Sequence, residues 1–251
     1  MSDELLSLRL VVVSNSPEDC ELFRQAAAST AVPIDVDATD GATAASRGIA
    51  AGTDLIYLDD GLDPGELKQI LGHVRAARNP PFTVQLSGGE DAAAPFETDA
   101  LASKPARLEE AKRLLGRSIR LRLPCRVLVV DDSSTMRSIV RKLVTGRGFP
   151  LDVSEASEGF AALKAVRDNA IDLVFVDYNM PGFSGLETIS EFKREKRRLS
   201  VVLMTSQPDH TLPERARELG AAFLKKPFYA ADIDAVLCSF YGLRALNAAR
   251  G

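Results

Sequence analysis

The sequence predicts an α/β fold of two doubly wound (βα)5 domains in tandem, each built on a parallel five-stranded sheet, and three observations predict it. The first is an internal repeat. DLIYLD at 54–59 reads like DLVFVD at 172–177, an offset of 118, and the pairs LVVVSNS/LVVDDSS (10–16, 128–134) and VQLSG/VLMTS (84–88, 202–206) share that offset. Lys104-Pro105 then matches Lys226-Pro227 at an offset of 122. A period of this size is too long for a solenoid repeat and suits two whole domains. The second is alternation: short aliphatic runs without polar interruption are followed by stretches with helical spacing, the pattern of a parallel sheet covered on both faces. The third is size, because 251 residues with 45% apolar and 26% charged side chains make two ordinary domains.

Each element of the second copy has its own justification. RVLVV (126–130) is a β-branched run, and Ser134–Thr145 places Met136, Ile139, Val140 and Leu143 at helical spacing before Gly146 and Gly148 stop it. PLDVSEA is a short strand, Ser157–Asp168 an Ala-rich helix, DLVFVD a buried strand, and Gly185–Lys196 a helix on Leu186, Ile189 and Phe192. SVVLMTS, a helix around Glu214–Leu219, the strand AAFLK and a last helix from Ala230 to about Ala249 complete the order. In the first copy the interval before the Lys-Pro is four residues shorter, which predicts a fourth helix reduced by one turn. The boundary falls near 117–125, giving domains 1–122 and 123–251. Leu114, Leu115, Ile119, Leu121 and Leu123 continue an apolar pattern up to Pro124, which predicts a helix running into a short stiff connector.

Composition excludes several functions. Thirty-one basic against 35 acidic residues give a net charge of −4, so nothing global favours nucleic acid or an anionic membrane. The apolar runs of four residues, such as Leu10–Val13, fall far short of the roughly 20 that span a bilayer. MSDELLSLRL has acidic residues where a secretory signal needs basic ones, so a cytoplasmic location is expected. Cys20, Cys125 and Cys238 are odd in number and widely spaced, fitting neither a disulfide framework nor a zinc site.

In a doubly wound sheet, ligand chemistry sits at the carboxyl ends of the strands. In the second copy those ends carry Asp131, Asp132, Asp177, Thr205 and Lys226. Three converging carboxylates repel one another unless a cation joins them, and a hard divalent cation such as Mg²⁺ takes carboxylate oxygens while leaving room for a phosphoryl oxygen. Lys226 and the Thr205 hydroxyl would meet further phosphoryl oxygens. Asp177, ending the buried central strand, is the natural nucleophile, and the adjacent Asp131 and Asp132 suit metal holding.

These residues resemble the receiver domains of two-component response regulators. VDDSSTMRSIVRKL, VDYNMPGFSGLE, VVLMTS and FLKKPF occur in order, spanning the second copy, and the likeness is especially close to single-domain chemotaxis regulators. The resemblance implies a flavodoxin-like fold with strand order 2-1-3-4-5. It implies that Asp177 accepts a phosphoryl group from a histidine kinase or histidine phosphotransfer protein, and that Asp132, Asp177 and the backbone carbonyl of Asn179 ligate Mg²⁺, with Asp131 acting through water. Thr205 and Phe223 take the switch positions.

The first copy keeps counterparts in Asp59, Ser87 and Lys104, but Ser14 and Asn15 stand where Asp131 and Asp132 stand. Leu101 replaces the switch aromatic, Pro64 is shifted from the usual turn, and the fourth helix is shortened. Asp60 could substitute for a lost carboxylate, but strand alternation points it away from Asp59. This copy reads as a pseudo-receiver without phosphorylation, with Asp59 and Lys104 as a buried pair.

The expected function is a signalling switch, not an enzyme, whose phosphorylation exposes a surface to a protein target. A homodimer or docking between the two domains would use the retained first fold. Only Ala249–Gly251 follow the last expected helix, which leaves no room for a DNA-binding or cyclase domain unless the chain is a fragment of a longer regulator. A phosphorelay intermediate or phosphate sink is the alternative on the same chemistry. An aspartyl phosphatase or phosphomutase lacks its DxD motif and cap. Asn179 and Gln207 are placed to position or block the hydrolytic water. Pro208–Pro213 predicts an altered or mobile output face at the fourth helix.

Overall fold

A computed structural model describes residues 8–30, 33–89, 98–121, 123–146, 149–195, 199–207 and 209–245. The chain divides into two compact units. The first takes in the described residues up to 121 together with Tyr241–Ala245, and the second is Leu123–Phe240.

The first unit contains β1 (Leu8–Val13), α1 (Pro17–Ala28), β2 (Ile34–Thr39), α2 (Gly41–Arg47), β3 (Leu55–Asp59), α3 (Pro64–Ala76), β4 (Phe82–Ser87), β5 (Ala100–Ser103) and α4 (Leu108–Ile119). Its parallel sheet has the order β2-β1-β3-β4-β5. Every residue of β3 is buried, because helices cover both faces of the central strand, whereas IDVDAT in the edge strand β2 alternates. Helix starts follow local chemistry: Ser16 caps α1 ahead of Pro17, and Asp63 caps α3 ahead of Pro64. The Tyr57 hydroxyl in β3 is hydrogen-bonded to Ser118 in α4, satisfying a polar atom inside the core.

The second unit contains β6 (Cys125–Val130), α5 (Ser134–Thr145), β7 (Leu151–Ala156), α6 (Gly159–Asp168), β8 (Leu173–Asp177), α7 (Gly185–Glu195), β9 (Ser200–Thr205), α8 (Leu212–Glu218), β10 (Ala222–Lys225) and α9 (Ala230–Phe240). Its sheet order, β10-β9-β8-β6-β7, is the same winding. The core gathers Leu128, Val130, Val174, Val176 and Leu203 from the strands with Ile189 and Phe192 from α7. The repeat extends to single bonds: Arg9 N donates to Asp54 at 2.9 Å and Arg126 N to Asp172 at 3.0 Å.

Three expectations need correction. Val13 lies opposite Leu58 and Val130 opposite Val176, so the first strands align one residue short of the 118 shared by the other motifs. Ser14 is therefore the counterpart of Asp131, and Asn15 of Asp132. The last helix ends at Phe240 and not near Ala249, because Gly242 takes φ 71, a left-handed turn. The second compact unit ends at Phe240 and not at 251, since Tyr241–Ala245 belong to the first unit. At the connector, α4 ends at Ile119 and Leu123 is 44% exposed. The shortened fourth helix of the first copy, Gly148, Lys196 and Pro208 fall at least partly outside the described residues.

Candidate functional site

In the second unit the carboxyl ends of the strands carry Asp131 just past β6, Asp177 as the last residue of β8, Thr205 as the last of β9 and Lys226 just past β10. The crossover that sets β6 beside β8 brings Asp131 and Asp177 to one rim. The Lys226 ammonium bridges them, 2.7 Å from Asp131 Oδ2 and 2.7 Å from Asp177 Oδ1. Both carboxylates are buried, at 1% and 5% exposure. Backbone groups hold their other oxygens: Ser133 N donates to Asp131 Oδ1 at 2.9 Å and Asn179 N to Asp177 Oδ2 at 2.8 Å. Gly185 lets α7 begin against this strand end, since a Cβ there would run into the Asp177 carbonyl and sit 2.8 Å from Tyr178 Cα.

Burial pushes the Asp177 carboxyl above its ordinary range; Lys226 opposes this and Asp131 adds to it. Burial alone would lower the Lys226 ammonium, but its bonds to Asp131 and Asp177 outweigh burial and raise it. Two buried carboxylates thus share one cation, leaving an excess of negative charge in a poorly solvated place.

Sequence reasoning put three carboxylates together, and the structure brings together two. Asp132 is exposed, and no group of three or more carboxylate, imidazole or thiol ligands is gathered among the described residues. Both residues lie past the end of β6, in the turn to α5, with Asp131 buried and Asp132 at the exposed side. Arg137 in α5, which sequence reasoning missed, fixes this turn: Nη1 donates to the Asp131 carbonyl at 2.8 Å and the Asp132 carbonyl at 3.4 Å, while Nε donates to Glu155 at 3.1 Å. An Arg one helical turn into the element after a DD pair is the signal that could have found it.

Thr205 is buried, and its Oγ1 accepts from Gln207 N at 3.0 Å, which leaves the hydroxyl proton free to be donated. Gln207 Nε2 donates to Asn179 Oδ1 at 2.8 Å, joining the loops beyond β8 and β9. Phe223 lies opposite Leu203, half-buried against the core of its unit.

The corresponding place in the first unit is built differently. Asp59 Oδ2 accepts from Ser14 Oγ at 2.7 Å and from Lys104 Nζ at 2.9 Å, and Lys104 also reaches Asp19 Oδ2 at 2.7 Å. Asp19, in the first turn of α1, was missed; the repeat signals it, because its counterpart is the uncharged Met136. Burial pushes Asp59 up, but the hydrogen bonds from Ser14 and Lys104 outweigh it and hold the carboxyl below its ordinary range. Ser87 mirrors Thr205, accepting from Gly89 N at 3.3 Å. Asn15 Oδ1 accepts from Gly41 N at 2.9 Å, and Asp60 accepts from Gly88 N at 3.1 Å, so Asp60 does not join the Asp59 cluster. Leu101 is buried in β5.

A family model described as the response regulator receiver domain matches residues 127–237. Chemotaxis protein CheY-3 of Vibrio cholerae is 33% identical over 111 residues, covering 43% of this chain and 85% of that protein. The chain belongs to the response regulator receiver family. Response regulator UvrY of Escherichia coli is 32% identical over 117 residues, covering 46% of this chain and 53% of that protein. A solved chain described as a probable two-component system response regulator/GGDEF domain protein aligns with TM-score 0.56 and 24% identity, over 93% of this chain and 98% of that one. That likeness extends the fold to both halves. The chain is a two-component response regulator, and receiver domains as a family interact with histidine kinases or phosphotransfer proteins and bind Mg²⁺ at an acidic pocket. Among the described residues no helix is long and apolar enough to cross a membrane.

Proposed function

We propose that the second receiver unit accepts a phosphoryl group on Asp177 from a phosphohistidine donor and that the first unit does not. The observation that carries this reading is the pair of buried carboxylates, Asp131 and Asp177, sharing the single Lys226 ammonium at 2.7 Å each. The donor set suits a hard divalent cation: carboxylate oxygens in excess over positive charge, with burial raising Asp177 and Asp131 adding to it. Asp132, Asp177 and the Asn179 carbonyl would hold Mg²⁺, with Asp131 through water, and the ion would supply positive charge to the phosphoryl oxygens.

The chain's own residues supply the rest. An Asp177 carboxylate oxygen forms the new P–O bond while the donor's P–N bond breaks and the imidazole leaves with its electron pair. Lys226, already at Asp177, meets one phosphoryl oxygen, and the Thr205 hydroxyl donates to another while still accepting from Gln207 N. The gain of about 1.5–2 negative charges beside Asp131 then biases the Thr205 and Phe223 region toward a second arrangement read by a protein target. Such a unit is a regulatory phosphoacceptor, with no reaction on an external substrate beyond its own phosphorylation and dephosphorylation.

In the first unit Ser14 replaces Asp131, and Asp59 is tied by Ser14 and Lys104. Lys104 is shared with Asp19, but the Ser14 hydroxyl donates to Asp59 where Asp177 faces the Asp131 carboxylate, so Asp59 keeps its charge without a cation. Label transfer from a phosphorylated histidine phosphotransfer protein, with Mg²⁺ and with chelator, tests the reading. Magnesium-dependent appearance of an alkali-labile acyl phosphate supports it; no transfer under either condition overturns it.

A further inference from the structure

The first unit contains a piece of chain that the winding of a receiver fold does not require. After α9 the chain turns at Gly242 (φ 71), and Arg244 forms an antiparallel bridge with Leu101 in β5. Leu101 N donates to the Arg244 carbonyl at 2.8 Å, and Arg244 N donates to the Leu101 carbonyl at 2.7 Å. Since β5 is an edge strand, these are the outward-facing backbone groups of a sheet edge, which otherwise offer a template for any extended chain. Tyr241, Leu243 and Ala245 are buried, at 1%, 6% and 7% exposure. Arg117 of α4 lies over the turn, donating to the Gly242 carbonyl at 3.4 Å, and a Cβ at Gly242 would stand 2.6 Å from Arg117 Cδ.

We propose that the β5 edge of the first unit is a strand-docking site whose occupant is the chain's own segment Tyr241–Ala245. Main-chain hydrogen bonds give such a contact its register, and alternate side chains anchor it. Residues 123–240 then enter and leave through chain that belongs to the first unit. A receiver fold with no need of phosphoryl chemistry keeps a use: its sheet edge binds an extended segment of chain. The position engaged is also the one whose counterpart is Phe223, the switch aromatic. At Phe223, in β10, no segment is paired on the outer edge among the described residues. The docked segment thus distinguishes the two sheets: the β5 edge carries it, and among the described residues the β10 edge carries no counterpart.

Amide hydrogen exchange on the full-length chain tests this, comparing wild type, Arg244→Ala and Arg244→Pro. Proline removes the amide that donates to Leu101, whereas alanine keeps it. The expected result is exchange at Leu101 at least about tenfold faster in Arg244→Pro alone, with β6 and β8 unchanged. Equal exchange at Leu101 in all three would overturn the proposal. A second measurement holds if the proline variant fails to fold. Mutually hydrogen-bonded antiparallel partners have Cα atoms about 5.5 Å apart, within disulfide reach. Leu101→Cys with Arg244→Cys is therefore expected to oxidise to a disulfide within one chain at every protein concentration. Absence of the bond, or a bond joining two chains, would show that this segment is not the occupant.

Discussion

At the scale of single residues, two carboxylates at equivalent strand ends are tuned in opposite directions. Asp177 is raised, by burial first, with Asp131 adding to it against Lys226; Asp59 is lowered, because Ser14 and Lys104 overcome burial. The linked stabilities have opposite signs. For Asp59 the native state favours the ionised form, so its contribution is present above the ordinary carboxylate range and is lost as pH falls through the depressed value. For Asp177 the native state binds the proton more tightly, so stability falls as pH rises from the ordinary range through the raised value. Substituting each carboxylate by Asn and following local hydrogen exchange against pH reads the two terms separately. Asp177→Asn is expected to remove a loss of stability with rising pH in the second unit, and Asp59→Asn a gain in the first; equal slopes in variant and parent would contradict the assignment. Lys226→Met leaves two buried carboxylates without a cation. It is expected to destabilise the second unit by about 3–5 kcal/mol at neutral pH, measured by denaturant unfolding, with part of the loss recovered in acid.

At the scale of elements, the close approach of α7 to the end of β8 depends on the missing side chain at Gly185. Gly185→Ala is expected to cost about 1–3 kcal/mol and to slow phosphorylation by shifting the strand end, checked by unfolding together with incorporation rate. Unchanged values in both would show that the loop yields freely. Much of this level was legible in the sequence. Unbroken runs such as DLIYLD and DLVFVD marked the central strands, because a strand covered on both faces cannot alternate. The residues at their ends marked Asp177, Thr205 and Lys226. Long-range packing was not legible: Asp19 reaches Lys104 across the unit, and Arg137 turns back onto backbone carbonyls. The end of α9 was misjudged because FYGLRALNAA keeps apolar character past Gly242, and apolar residues pairing on a sheet edge look in sequence like those of a helix. The exposed place of Asp132 was not legible because it lies in the turn between β6 and α5, where no strand or helix period says how far a side chain is buried.

At the scale of the whole chain, duplication has kept one winding twice and divided its uses. In the second unit a second carboxylate faces the buried acceptor and raises it; in the first a serine hydroxyl donates to the equivalent carboxylate and helps lower it, and the edge strand takes up Tyr241–Ala245. Neither strand order nor carboxylate count explains the difference, since both sheets wind alike and each lysine meets two carboxylates; the Ser14 hydroxyl standing where the second unit has the Asp131 carboxylate does. The division leads to a prediction in which the two sites report on each other as controls. Intact mass is measured after incubation with a small-molecule phosphodonor and Mg²⁺, for the parent chain, Asp177→Asn and Asp59→Asn. The account predicts one added phosphoryl group on the parent and on Asp59→Asn, and none on Asp177→Asn. Incorporation that survives Asp177→Asn and disappears with Asp59→Asn would contradict it.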